Sequence, residues 1–428
     1  MTLVFLLFAI LQTHAADFEW SGELRGEGHA YADELTSPTR QYDGILQSIM
    51  DFDVKFNRRS RLHFKPNLRS NLSTQQHPEN LFLNLQEAYW EIKLEALKIK
   101  MGSNTHHWGV LDGYSTMDVT NGRVLFNPLS SEKRGAPGVQ LSSEFGSLQV
   151  QALYIPWQAR TIFPSTDSRW LPREVLVNAS TTDQTILLPS SFRYYYPGYQ
   201  ELQKALENNF GLKLDYRYND FDTSVMFFEG TSITPQTRIL FAADVVSINP
   251  DVLQARSDIG IIPVYFKQRT VGSSLTWTQD SFVLKLESTY ADSISDDPII
   301  PPWSWQNGIG LEIPWTLTDT TSATILLQTY YGENEDALDN MMSSSTRLFD
   351  RSVLLGLRVS FSTETNCTAS FLYNYRDESS YARLQAETKW SQNWKSSLTL
   401  DALQGDGSTL LGTYNKNDRA IISLAYLW

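Results

Sequence analysis

A period of two, sustained along most of the chain, restricts its fold more than any other feature. Apolar and charged residues alternate singly in run after run, the pattern of strands whose two faces meet different surroundings. Phe18, Trp20, Leu24 and Ala30 share one face, and Glu19, Glu23, Arg25, Glu27 and His29 share the other. Phe52, Val54 and Phe56 stand against Asp51, Asp53 and Lys55, and Leu62, Phe64 and Leu68 against Arg61, His63, Lys65, Asn67 and Arg69. Ala88, Trp90 and Ile92 oppose Glu87, Tyr89, Glu91 and Lys93, and Leu97, Ile99 and Met101 oppose Lys98 and Lys100. The second half continues alike, with Leu284 and Leu286 against Lys285 and Glu287, and Tyr373 and Tyr375 against Asn374 and Arg376. Leu398, Leu400 and Ala402 oppose Lys395, Thr399 and Asp401.

The connections carry a second pattern. Short links rich in Asx, Ser, Thr or Gly near 57–60, 94–96, 144–146, 219–222, 278–281, 316–320, 362–365 and 391–393 read as tight turns. Between them lie longer polar segments near 31–44, 71–80, 104–135, 157–207, 231–267, 293–304, 333–348 and 404–418. Short and long links alternate in this way when turns face the periplasm and loops the outside. The expectation is an all-β fold, a transmembrane antiparallel β-barrel of about 18 strands, or 16 if the weakly patterned runs near 139–155 and 221–230 are discounted. A soluble sandwich or propeller is the rival, but it has no reason to sort its loops by length. Trp20, Trp90, Trp277, Trp315, Trp390, Trp394 and Trp428 recur near strand ends, as at a lipid–water interface.

Composition narrows the function. Of 428 residues one is cysteine, so Cys367 rules out a disulfide framework, and the formal charge of −13 argues against nucleic acid as partner. Leu3 to Leu11 is apolar and is followed by Thr13-His14-Ala15, which reads as a secretory signal peptide over residues 1–15. No later apolar run approaches the length of a membrane helix. Leu424, Tyr426 and Trp428 alternate in the last strand, which is expected to close the barrel against the first. That ending resembles the signal outer-membrane barrels present to their assembly machinery, which implies that machinery and outer-membrane lipid as partners.

With lipid outside, the charged faces line the lumen, where Arg61, His63, Lys65 and Arg69 form a basic ladder beside the acidic Asp51, Asp53, Glu87 and Glu91. Opposed ladders would set a transverse field on a polar solute; paired wall charges are the plainer reading. The segment 101–138 is polar and Gly-rich and is expected to fold inward as a constriction near 104–135. It carries Gly102, His106, His107, Trp108-Gly109, Asp112, Asp118, Arg123 and Asn127-Pro128. Here the sequence resembles a group of Gram-negative outer-membrane porin-like proteins, which have a Trp-Gly, a following Asp, and then an Asp with Asn-Pro. Ser103-Asn104 departs from the Arg-Gln of that pattern, and no Asp closely follows Asn127-Pro128. The resemblance implies an outer-membrane channel, with barrels of this size often associating as homo-oligomers.

Other chemistry finds less support. His106-His107 with Asp112 and Asp118 matches no structural zinc spacing, so neither a metal nor a cofactor is expected. His14, His29, His63, His77, His106 and His107 all lie in the first 107 residues, none in a nucleophile motif, so no enzyme is expected. The segment 157–207 is aromatic-rich (Trp157, Trp170, Tyr194, Tyr195, Tyr196, Tyr199), and short helices are expected at 200–208 and 242–253. Such aromatics suit either a lid or contacts with partners. The function expected is therefore passive diffusion of small polar or charged solutes, and the alternative is a surface-binding or adhesion barrel with a plugged lumen.

Overall fold

A computed structural model describes residues 17–33, 41–74, 76–171, 192–249, 252–334, 349, 351–407, 409 and 411–428. The expected signal peptide at 1–15 lies outside them. Eighteen antiparallel strands form a single sheet. It begins with Asp17–Tyr31, Tyr42–Asn57, Ser60–Asn71, Phe82–Lys93 and Leu97–Asn104, each hydrogen-bonded to the next. Ala136–Phe145 and Leu148–Trp157 follow, then Glu207–Tyr218 and Phe221–Thr231. Lys267–Gln279, Phe282–Ser293, Trp303–Thr316 and Ser322–Asn334 continue the wall. Ser352–Ser360, Thr365–Asn374, Ser379–Lys389, Trp394–Gln404 and Arg419–Leu427 complete it.

The last strand pairs with the first from Glu23↔Leu427 to Tyr31↔Arg419, so the sheet closes on itself and has no free edge. Trp428 donates to and accepts from the backbone of Gly22, which puts the start of the first wall strand and the end of the last at the turn end of the barrel. A barrel of alternating side chains must choose which face turns outward, and here the choice is the reverse of a soluble globule. Trp315 is 59% exposed and Ile422 66% on the outer face, while Glu287 at 3% and Gln328 at 0% are buried within. Phe52 stacks on Phe18 and Phe64 along the outer face, and Lys285 reaches Asp112 inside. The outer belt is therefore built for hydrocarbon and the inner face for polar partners.

Three local expectations fail. The link between Thr365–Asn374 and Ser379–Lys389 is short although it lies at the loop end, so Tyr375 and Arg376 belong to a turn and not to a strand. Residues 200–208 form no helix: Gln200–Glu201 is a short strand, and Glu207 already begins a wall strand. Residues 242–253 fall in a hairpin of Gln236–Asn249 with Val252–Tyr265, joined by Phe192–Tyr195 and Gln200–Glu201 in a separate small sheet. The β-branched Val245, Val246, Ile248, Val252, Ile259 and Ile261 suit an extended partner more than a helical turn.

Candidate functional site

The lumen is crossed by the segment between Leu97–Asn104 and Ala136–Phe145. Its anchors are apolar as well as polar. Trp108 is 1% exposed, lies edge-on to Phe228, and donates its indole N–H to Gln151 Oε1 at 2.7 Å. A Cβ on Gly211 would stand 2.4 Å from the Trp108 ring, so that wall position is a slot only glycine leaves open. Met117 and Val119 join Trp108, Ile155, Met226 and Phe228 in a dry cluster. Trp108 is thus an anchor of the crossing and does not line an aqueous path. His106 is packed likewise: its backbone N–H donates to Asn121, its carbonyl accepts from Lys133, and burial lowers its imidazole to about 4.

Farther on, the segment meets Glu287, which points inward from Phe282–Ser293. The carboxylate accepts from the backbone N–H groups of Val110, Leu111 (2.9 Å) and Thr116 (2.8 Å) and from the hydroxyls of Ser115 and Thr116. One wall carboxylate thereby gathers both sides of the bend at 110–116, and its charge is spent on five donors. Gly113 N–H donates to Gln328 and Tyr114 N–H to the Tyr330 hydroxyl, both on Ser322–Asn334. Leu111 fills the space a side chain at Gly308 would need, 2.3 Å from an added Cβ. Asp112 accepts from Lys285 at 2.9 Å and from Gln328 at 3.2 Å. Burial works the other way, but the Lys285 ammonium holds the Asp112 carboxyl below its ordinary range. The segment leaves the fifth wall strand and seats its bend on the eleventh to thirteenth, most of the way across the barrel.

The return stroke is held by other charges. Asp118 pairs with Lys133 at 2.6 Å and accepts from the Trp108 backbone. His107 Nδ1 lies 2.9 Å from the Lys133 ammonium, which donates to it. Arg123 donates to Ser131, and its backbone pairs with Ile162 of a second inward segment, 158–171. That segment runs toward the barrel seam. Arg169 there donates to Asn417 and to the carbonyls of Asp33 and Lys416, and Trp170 packs on Tyr414. The aromatic-rich stretch was expected as a lid or a partner surface; within its described part Trp170 is a buried strut and Tyr199 is exposed.

The ladders expected along the wall lie on neighbouring strands and neutralise each other. His63 sits 3.5 Å from Asp51 and Asp53 and 3.3 Å from Glu87, while Arg61 lies 3.4 Å from Asp53 and 3.9 Å from Glu91. Lys65 is in register with Glu87, and Arg69 approaches Glu132 of the crossing segment at 4.0 Å. Such adjacent pairs screen one another at short range, which favours paired wall charges over a field across the barrel. Around the wall, Arg383 and Arg419 likewise hold Asp401, and Lys395 holds Glu387. Among the described residues no cluster of three His, Cys, Asp or Glu side chains is arranged to hold a metal.

Two chambers flank the crossing. One opens at the loop end, with about 990 Å³ of empty space lined by Tyr114, Thr116, Thr270, Thr289 and Gln306 among others. The other opens at the turn end, with about 1130 Å³ lined by Val110, Gln149, Lys213, Asp215 and Thr276 among others. Sequence reasoning located the inward segment but missed Glu287, Gln328 and Tyr330 as its seat. The available signal was Gly308-x-Gly310 and Gly211 inside strands, since glycine there marks close approach of something else.

Neither a family model nor a curated protein matches the chain. Solved structures do share its fold. OpdK, an outer membrane protein of Pseudomonas aeruginosa, superposes with a TM-score of 0.52 at 8% identity over 96% of this chain and 99% of its own. A BenF-like porin of Pseudomonas fluorescens Pf-5 gives 0.52 at 9% identity over 96% and 98%. OccAB1 of Acinetobacter baumannii gives 0.50 at 8% identity over 96% and 95%. At such identities the likeness is one of architecture: a closed, porin-type barrel.

Proposed function

We propose that the chain is a passive channel of the outer membrane, through which small polar or charged solutes diffuse past a constriction made by the segment near 104–135. The observation that carries this reading is a closed barrel with a lipid-compatible exterior whose lumen is narrowed by an anchored segment with a chamber on each side. Loops then face outward and turns face the periplasm, and insertion draws on the barrel-assembly machinery. No bond chemistry is assigned, because among the described residues inner charges such as Arg61, His63 and Arg419 are engaged in pairing and anchoring. Asp51, Asp53, Arg61, His63, Lys65, Glu87 and Glu91 line the periplasmic half in this reading. Asp112, Asp118 and Arg123 border the constriction, His107 lies at its edge, and Arg69 braces it from the wall.

The test is single-channel recording of the purified protein in a planar bilayer. Deleting residues 106–127 is expected to raise conductance about two- to fivefold by widening the narrowest section; an unchanged conductance removes the constriction. A second reading, a surface-binding barrel with a plugged bore, is favoured by the dry packing of Trp108, Met117, Ile155 and Phe228 inside the lumen. It predicts electrical silence in the same recording.

A further inference from the structure

We infer that the turn at 57–60 holds the headgroup of an anionic phospholipid against the rim of the barrel. The site lies on the outside of the wall, so it stands whether or not the bore conducts. The rim at this end is otherwise acidic: Glu144, Asp220, Asp280, Asp319 and Glu364 are exposed at or beside other turns. Arg217, close to Asp220, is matched by Asp222 at 2.9 Å. At 57–60, by contrast, Arg58 and Arg59 stand side by side and exposed, and among the described residues neither forms an ion pair. The turn at 94–96 lies against them, since the Lys93 N–H donates to the Arg59 carbonyl at 2.7 Å. Lys93 is matched by Glu91 at 3.4 Å, and the exposed Glu95 is offset by Lys98. The two turns therefore keep the charge of both arginines in excess.

The neighbouring outer surface suits a lipid. Phe56 and Trp90 are exposed on the outer face beside the turn, and Leu94 is exposed at the adjoining one. Trp90 donates its indole N–H to the Ser60 hydroxyl at 2.8 Å, which fixes the ring at the level of the turn. An amphipathic ring held there sits at the boundary between acyl chains and headgroups, so the two guanidiniums reach headgroup depth. Their planar forks match phosphate oxygens two at a time. A zwitterionic headgroup carries its own ammonium and brings no net charge to meet them. The chain as a whole has a formal charge of −13, so attraction of an anionic lipid is a property of this sector and not of the molecule. With the turns on the periplasmic side, the lipid belongs to the periplasmic leaflet.

The experiment titrates the full-length protein, in a neutral detergent, with phosphatidylglycerol or phosphatidylethanolamine of identical acyl chains. Bound lipid is counted by native mass spectrometry. Phosphatidylglycerol is expected to be retained at least about threefold more strongly than phosphatidylethanolamine. The double change Arg58→Gln and Arg59→Gln is expected to abolish that preference, and Arg217→Gln, which removes a cation already paired, to leave it intact. Equal retention of the two lipids by the wild type overturns the inference. So does a preference that survives the double change, or one that Arg217→Gln removes as fully, which would make it a general effect of charge. Should the doubly changed protein not fold, the single changes are read in the same way, each expected to reduce the preference; a preference that neither reduces overturns the site.

Discussion

Glu287 shows how much one inward side chain can do in a barrel. Its carboxylate is a common partner of Val110, Leu111, Ser115 and Thr116, so removing it takes the acceptor from the buried amides of Leu111 and Thr116. Glu287→Ala is expected to cost about 3 kcal/mol of thermal stability in detergent and to make the channel current noisier and larger. A variant with wild-type conductance and melting would show that the bend is held elsewhere. Gly211→Val tests the same crossing from its other anchor, because Cβ and methyls would occupy the Trp108 slot. The expected outcome is a loss of about 1–3 kcal/mol from overpacking, read by the same melting curve. Neither residue is conspicuous in sequence: Glu287 is one acid among many on inward faces, and its partners lie some 170 positions away.

At the scale of elements, the loops are coupled to one another as well as to the wall. Glu79, in the connection 71–82, accepts from the Ser165 backbone at 2.8 Å, and burial pushes its carboxyl up to about 7. Since the folded value exceeds the unfolded one, burial of the neutral Glu79 carboxyl contributes stability that is fully present below the ordinary carboxylate range and is lost as pH rises through about 7. The Ser165 N–H, which favours the ionised form, opposes that loss. The protection factor of the Ser165 amide, its exchange rate corrected for the intrinsic pH dependence, should therefore fall between pH 5 and pH 8, and Glu79→Gln should flatten that fall. Equal protection at both pH values in the wild type would show that ionised Glu79 is tolerated. Most wall strands were readable from alternation. The hairpin 236–265 was not, because apolar β-branched runs around a loop fit a short helix or a strand equally well by period.

On the scale of the whole molecule, the outer belt is the property most open to a direct test. Ile422 is expected to face acyl chains near the seam, so Ile422→Arg should cost about 2–4 kcal/mol of folding into vesicles if it lies near the bilayer midplane. A soluble-protein surface would absorb the same change within about 0.5 kcal/mol. Strand number and closure could be anticipated, and the sorting of links by length fails only at 374–379, a short link at the loop end. The ladders, in contrast, were legible as charges but not as pairs. Only the register Asp53↔His63 and Arg61↔Glu91 shows that acids and bases face their neighbours along the wall and not each other across it.

The amino-acid order alone determined which side of each strand meets lipid, because a two-residue period leaves a strand with one apolar face and one polar face, and a bilayer accepts only the first. What fills the interior was decided by tertiary structure. Closing eighteen strands brings Glu287, Gln328 and Tyr330 around to meet a segment that leaves the opposite wall. Contacts of that range follow from barrel circumference and register, which no local pattern encodes.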